Sequence, residues 1–140
     1  MSEAPAAGKT FQFELVSPER ILVSEEAKMV VVPGEAGDFG VLAQHAPLLS
    51  SLRPGVVSLT AANGDVRRIF VSGGFTDVSP TSCSVLAEEA IAVEDLDKAK
   101  LQESLKSLED DLGFAKEDPL KLAQVKSQIE LTKAKIAVAA

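Results

Sequence analysis

Hydrophobic positions follow two different periods along the chain, and the change falls near residue 91. Before it, apolar and polar residues alternate, as Phe11, Phe13 and Leu15 do around Gln12 and Glu14. A period of two is typical of strands with one buried face. Further short apolar runs follow at intervals of about 8–12 residues, the spacing expected of a small sandwich or barrel. This pattern predicts an antiparallel β-sandwich over residues 11–91.

Turn residues separate these apolar runs. The strongest hairpin signal is Asn63-Gly64, which lies between "VVSLT" and "VRRIFV". Both residues tolerate the positive φ of a type I′ turn, so a hairpin of that type is predicted. Ser79-Pro80 separates "FTDV" from "CSVLA" in the same way.

From Asp95 onward the apolar period is helical. The first predicted helix is capped by Asp95 or Asp97 and is broken at Gly113, and a second begins at Pro119. The apolar positions at helical spacing are Leu101, Leu105, Leu108, Leu112, Leu122, Val125, Ile129 and Ile136. The sequence thus predicts an α+β protein: a flexible tail over residues 1–10, the β-sandwich, and an antiparallel two-helix hairpin over residues 92–140.

Composition narrows the function classes. The chain has 140 residues, a hydrophobic fraction of 46% and a net charge of −7, which argues against nucleic acid as a partner because phosphate binding needs a basic patch. No apolar stretch approaches the ~20 residues of a membrane-spanning helix, so direct membrane insertion is not expected. One cysteine and one histidine make neither an internal disulfide nor a Cys/His metal site, and no metal is predicted.

The single histidine and the single cysteine are the candidates for catalysis. His45 lies in "GDFGVLAQHAPLLSSLRPG", and Cys83 lies in "TSCSVLA", where alternation indicates a packed strand position. Neither has companion residues that assemble a nucleophile, a base and oxyanion donors, so an enzyme is a poor interpretation.

Four segments together resemble the epsilon subunit of the bacterial F-type ATP synthase, called delta in mitochondria. They are "GDFGVLAQHAPLLSSLRPG", "FVSGGF", "SVLAEEAI" and "EDLDKAK", and the resemblance extends from about Phe11 to the end of the chain. It implies a non-catalytic subunit of the central stalk that binds the gamma subunit and the c-ring and couples proton flow to ATP synthesis. It also implies a peripheral location within F1, at the cytoplasmic face of the bacterial inner membrane.

The resemblance implies roles for individual residues. Glu35, Asp38 and His45 are expected on a loop facing the c-ring, and Phe70 and Phe75 are candidates for an apolar face that binds gamma or for the core. The hairpin is expected to inhibit ATP hydrolysis by contacting the alpha and beta subunits, with an acidic segment of beta as the main target. The candidate contacts are the lysines of the last helix, Lys121, Lys126, Lys133 and Lys135.

One motif departs from the family pattern. Members whose hairpin senses ATP carry Ile/Leu-Asp-x-x-Arg-Ala, whereas this chain has Asp97 followed by Lys100 and Leu101 in the arginine and alanine positions. Lysine lacks the bidentate fork with which arginine grips phosphate. Weak or absent ATP binding, and no cofactor, are therefore expected.

Two other function classes remain as alternatives. One is a non-rotary adaptor, a β-sandwich whose helical arm recruits an unrelated partner. The other is a small enzyme built around His45 or Cys83.

Overall fold

The computed structural model describes residues 9–139 of the chain. The tail predicted for residues 1–10 lies outside the described residues, apart from Lys9 and Thr10. The elements, in chain order, are β1 (Phe11–Val16), β2 (Ile21–Gly34), β3 (Gly37–Leu42), β4 (Leu48–Ser51), β5 (Gly55–Ala61), β6 (Val66–Val78), β7 (Ser82–Ala92), a 3₁₀ turn (Val93–Asp95), α1 (Lys98–Phe114) and α2 (Pro119–Val138). The chain divides into two compact units between Ala92 and Val93.

The strands form a β-sandwich in which hydrogen bonding is continuous around β1, β7, β6, β5 and β2, because β1 also pairs with β2. β3 extends this arrangement beside β2, and β4 pairs with β6. The predicted fold is confirmed, with one qualification of the antiparallel arrangement. β1 pairs with β7 in parallel, whereas the other described pairs of strands are antiparallel.

Alternation places one side of each strand in the core. Phe11, Phe13 and Leu15 are buried, as the period of two predicted, and Phe13 lies beside Cys83 across the parallel pair. Burial of each such large side chain contributes about 1.5–3 kcal/mol relative to exposure. The core also contains a fully buried polar residue, Thr76, whose hydroxyl has no hydrogen-bond partner among the described residues.

β6 changes neighbours at the segment Ser72-Gly73-Gly74. Its first half pairs with β5 and its second half with β4, while β7 remains on the other side. Gly73 and Gly74 have φ values of 69° and 95°. A Cβ at Gly74 would overlap the carbonyl oxygen of Leu86 on β7. Only glycine fits this backbone conformation and this contact together.

The hairpin predicted at Asn63-Gly64 is confirmed, but its type I′ turn is wrong. Gly64 has a φ of 95°, whereas Asn63 does not have a positive φ. The Gly64 N–H donates to the Ala61 carbonyl at 2.9 Å, and the Asn63 side chain accepts from the Asp65 N–H at 2.9 Å. The Ala61 N–H also donates to the Asp65 carbonyl at 2.8 Å, so the loop inside this pair has three residues and ends in glycine, which is a common hairpin with a bulge.

The second unit is a helical hairpin whose caps follow the sequence signals. Asp97, rather than Asp95, caps α1, and Asp118 caps α2 immediately before Pro119. The helix end predicted at Gly113 falls one residue later, since α1 ends at Phe114 and Gly113 is its penultimate residue. The two helices meet through a small apolar cluster. Its members are Leu105, Leu108, Leu112, Ala115, Val125 and Ile129.

We expect Gly74→Ala to lower the free energy of unfolding by about 3 kcal/mol or more, because backbone strain of about 1–2 kcal/mol adds to a steric overlap of about 1–3 kcal/mol. Gly64→Ala is the matched control. Its φ is the same, but a Cβ there meets nothing within 4 Å, so only the strain applies. Urea denaturation of the two variants measures the difference. Equal losses would mean that the contact with Leu86 does not constrain the fold.

Candidate functional site

The turn between β2 and β3 carries exposed charges and is tied to the turn between β4 and β5. Glu35 is exposed in the first turn, and its N–H donates to the Ser51 carbonyl at 2.9 Å. The Arg53 N–H donates to the Pro33 carbonyl at 3.0 Å. The Arg53 guanidinium donates to the Asp38 carboxylate in an exposed ion pair. These two turns therefore form a polar surface at one end of the sandwich. We call this surface, which carries Glu35, Asp38 and Arg53, the polar end.

His45 lies in the bend between β3 and β4, and the residue is partly buried. The backbone N–H of His45 donates to the Leu42 carbonyl at 3.1 Å, and the ring Nδ1 donates to the Ala46 carbonyl at 2.6 Å. The preceding residue, Gln44, has a φ of 67° and donates from its N–H to the Pro80 carbonyl at 2.7 Å. These contacts make His45 a residue of a tight bend.

The prediction of one loop that carries Glu35, Asp38 and His45 is wrong. β3 lies between the acidic turn and His45 and is a continuous strand of 6 residues. At about 3.3 Å per residue, β3 is about 20 Å long, so Glu35, before the strand, and His45, after it, lie near its opposite ends, while Asp38 lies on the strand near the Glu35 end. The glycines of this segment belong to the strand, because Gly37 and Gly40 pair with β2. The structure brings Glu35 and Asp38 together and leaves His45 at the opposite end.

The two phenylalanines proposed for gamma binding have different surroundings. Phe70 is fully buried, whereas Phe75 is 44% exposed. Phe70 and Phe75 both lie on β6, on opposite sides of the bend at Gly73-Gly74. As the structure stands, only Phe75 is available at the surface.

Phe75 belongs to a row of apolar side chains that crosses four strands on the outer side of the sandwich. Phe75 pairs with Leu86 on β7, which is 38% exposed, and Leu86 pairs in turn with Val16 on β1. Across β4 it faces Ser51, and Leu49, two residues earlier and on the same side, is 69% exposed. We call Val16, Leu86, Phe75 and Leu49 the outer apolar row.

The four lysines of α2 do not share one face. Lys126 and Lys133 are seven residues apart and differ by about 20° around the helix, while Lys121 and Lys135 differ by about 40° and lie on roughly the opposite side. Lys121, Lys126 and Lys133 are exposed, and Lys135 is partly buried. Glu130 lies on the face of Lys126 and Lys133, between them.

The aspartate of the ATP-motif segment is engaged in capping. The Asp97 carboxylate accepts from the Lys100 N–H at 3.2 Å at the first turn of α1. The side chain of Lys100 is exposed. Asp97 therefore stabilises the start of the helix, the role that aspartate commonly has at such positions.

Cys83 is in the core, and its thiol is protected. Burial in apolar surroundings, with a smaller effect from the Asp77 carboxylate, raises its pKa from 9.0 to about 12. The thiolate is the reactive form of cysteine, so this thiol is a poor nucleophile at neutral pH. Across residues 9–139 no group of histidine, cysteine, aspartate or glutamate is arranged to hold a metal ion. None of the helices described here has the length and apolar character needed to cross a membrane.

Comparison with known proteins identifies the family. The sequence model described as ATP synthase, Delta/Epsilon chain, beta-sandwich domain matches residues 10–93. An ATP synthase epsilon chain of Mesorhizobium japonicum is 46% identical over 110 residues, which cover 79% of this chain and 82% of that protein. The chain belongs to the ATP synthase epsilon-chain family. An epsilon chain of Rhodospirillum rubrum is 50% identical over 107 residues, and these residues make up 76% of this chain and 80% of that protein.

Solved structures show the same fold. A chain in the cryo-EM structure of the Euglena gracilis mitochondrial ATP synthase, comprising OSCP, F1 and the c-ring, matches with a TM-score of 0.80 at 22% identity. The match covers 91% of this chain and 80% of that chain. A chain of the central stalk and c-ring of the Tetrahymena thermophila mitochondrial ATP synthase matches with a TM-score of 0.58 at 12% identity, covering 91% and 97%. The resemblance to the epsilon-chain family in the sequence motifs is confirmed by the family model and the sequence relatives, and the solved structures agree in fold.

Three residues of these surfaces were not predicted as site residues: Arg53, Leu49 and Leu86. Arg53 was part of a quoted motif of the epsilon-chain family, but its partner Asp38 is 15 residues away in sequence. The alternation in β7 places Leu86 opposite the buried Val85 and Ala87, which was a usable signal for an exposed leucine. Its neighbours Phe75 and Val16 depend on strand register, which alternation alone does not specify.

Proposed function

We propose that this chain is a non-catalytic rotor subunit of a bacterial F1Fo ATP synthase, located peripherally at the cytoplasmic face of the inner membrane. It joins the gamma subunit to the c-ring and so couples proton flow to ATP synthesis. Family membership supports this role, and the observation that carries it is the presence of two distinct exposed surfaces on one rigid sandwich, one apolar and one polar. The buried Cys83 thiol and the bend at His45 favour a binding protein over an enzyme.

The outer apolar row is proposed to bind gamma. Contiguous exposed apolar side chains mark protein interfaces, and aromatic residues are frequent energetic anchors in them. Phe75 is the central member, with Leu86 on one side and Leu49 on the other. Phe70 is replaced as a candidate anchor by these leucines because its side chain is buried.

The polar end of the sandwich is proposed to contact the c-ring. Glu35 and Asp38 are exposed there, and the backbone around them is fixed by hydrogen bonds to the neighbouring turn. A ring contact at His45 as well requires a partner surface about 20 Å long, parallel to β3. The acidic end is therefore the primary ring contact in this proposal.

The hairpin is proposed to inhibit ATP hydrolysis by contacting the catalytic alpha and beta subunits. Its own core is small, with three buried residues among those described, Ala115, Val125 and Ile129. A unit with few buried apolar contacts opens at low free-energy cost, as a conformational switch requires. Lys126 and Lys133 are the proposed contacts with an acidic partner, because they are exposed and share one face.

We expect Leu49→Asp and Phe75→Asp each to weaken binding to the gamma subunit by at least about tenfold, because each places a charge in an apolar interface. Val66→Asp is the control, since Val66 is an exposed apolar residue of β6 outside the outer apolar row. The measurement is the affinity of the purified chain for gamma. Unchanged affinity in both variants would reject the row as the docking surface, and no affinity of the unmodified chain would favour the adaptor.

We expect the full chain, added to an ATP synthase depleted of this subunit, to lower the rate of ATP hydrolysis, whereas a version ending at Ile91 leaves the rate unchanged. A Lys126→Ala/Lys133→Ala variant should inhibit less, because it removes the paired charges of one helix face. Lys98→Ala/Lys106→Ala, on α1, is the matched control and should inhibit normally. If the truncated version inhibits as strongly as the full chain, the hairpin is not the part of the chain that inhibits ATP hydrolysis.

The hairpin is proposed to bind ATP weakly or not at all, because Lys100 supplies a point charge and Asp97 is engaged as a helix cap. Calorimetric titration of the chain with micromolar ATP should show no saturable heat. Lys100→Arg/Leu101→Ala, which restores the family motif, should show more binding than the unmodified chain. Saturable binding at micromolar ATP by the unmodified chain would contradict the proposal.

A further inference from the structure

The motif Arg53-Pro54-Gly55 lies directly against the turn between β2 and β3. The Arg53 N–H donates to the Pro33 carbonyl at 3.0 Å. Gly55 packs on the Pro33 ring, and a Cβ at Gly55 would come within 2.8 Å of the Pro33 Cβ. A glycine is needed here because the two chain segments approach too closely for a larger residue. The motif therefore brings the two turns into contact.

The Arg53 side chain extends this contact to β3. Its guanidinium donates to the Asp38 carboxylate, and 43% of the arginine side chain and 60% of the aspartate side chain remain exposed. The Glu35 N–H donates to the Ser51 carbonyl at 2.9 Å from the other direction. Two backbone hydrogen bonds and one ion pair thus hold the acidic turn against the β4–β5 turn.

The two acidic residues of the polar end differ in whether their charge is paired. The charge of Asp38 is compensated by Arg53, whereas Glu35 has no ion-pair partner among the described residues. The pair is a single contact between one guanidinium nitrogen of Arg53 and one carboxylate oxygen of Asp38, and it joins the β4–β5 turn to the start of β3. The ion pair therefore compensates the charge of Asp38 and also links β3 to the neighbouring turn.

We infer that Arg53 is a positioning residue for the proposed c-ring contact: it holds Asp38 and the β2–β3 turn in the geometry that the polar loops of the ring recognise. This inference rests on the proposed function. Arg53 acts through Asp38 and need not touch the ring. This role explains why the three residues of the Arg-Pro-Gly motif occur together. Gly55 allows the β4–β5 turn to lie close to Pro33, and Arg53 binds Asp38 and so holds the two turns together.

The test uses F1 complexes that contain variant chains, titrated onto membrane vesicles that carry the c-ring sector without F1. We expect Arg53→Ala and Arg53→Gln to raise the half-saturating F1 concentration by about fivefold, the upper range for an exposed ion pair. The charge-swapped variant Asp38→Arg/Arg53→Asp should bind within about twofold of the unmodified complex, because it restores the pair. Arg67→Ala is the matched control, since it breaks a different exposed ion pair of the sandwich, Arg67–Glu25 at 2.6 Å.

Each outcome has a defined meaning. Unchanged binding by both single variants overturns the inference. Binding by the swapped variant that is as weak as that of Arg53→Ala also overturns it, because the individual charges, rather than the pairing, would then matter to the ring. Thermal unfolding of the isolated chains verifies that each variant is folded. F1 that lacks this chain altogether tests the proposed function separately, since equal binding with and without the chain would reject that function and not only the role of Arg53.

Discussion

The bend of β6 at Gly73-Gly74 is the constraint on which the arrangement of the surfaces depends. One strand can pair with β5 along its first half and with β4 along its second only if its backbone turns between them, and the two positive φ values provide that turn. The Leu52 N–H donates to the Gly74 carbonyl at 3.1 Å, so the bend also fixes the residue that precedes Arg53. Both the outer apolar row and the polar end thus follow from one local backbone conformation.

The two surfaces have different physical characters, and this difference suits two different partners. The outer apolar row offers area that is removed from water on binding, and such area stabilises a lasting complex. The polar end offers carboxylates, an ion pair and a rigid backbone, which favour specificity over strength because exposed charges contribute little free energy each. The proposed role, in which the chain stays bound to gamma and meets the polar loops of the c-ring, requires such a combination.

Local patterns predicted the elements well, and long-range register explains what they missed. The alternation at Phe11, Phe13 and Leu15 and the helix start at Pro119 depend on neighbours within a few residues, and both are confirmed. Of the two aspartates predicted as alternative caps of α1, the structure selects Asp97. The single loop for Glu35, Asp38 and His45 was wrong because glycines suggested a turn where β2 supplies a pairing strand. The burial of Phe70 and the exposure of Phe75 follow from tertiary packing around a bend, which no local period encodes.

The proposed coupling of a rotor to a membrane ring is measured directly by ATP-driven proton pumping. Membrane vesicles with an ATP synthase depleted of this subunit would be assayed before and after the full chain is added, with ATP hydrolysis recorded in parallel. We expect the added chain to restore proton pumping per ATP hydrolysed. Hydrolysis that proceeds without any gain in pumping, although the chain is bound, would contradict it.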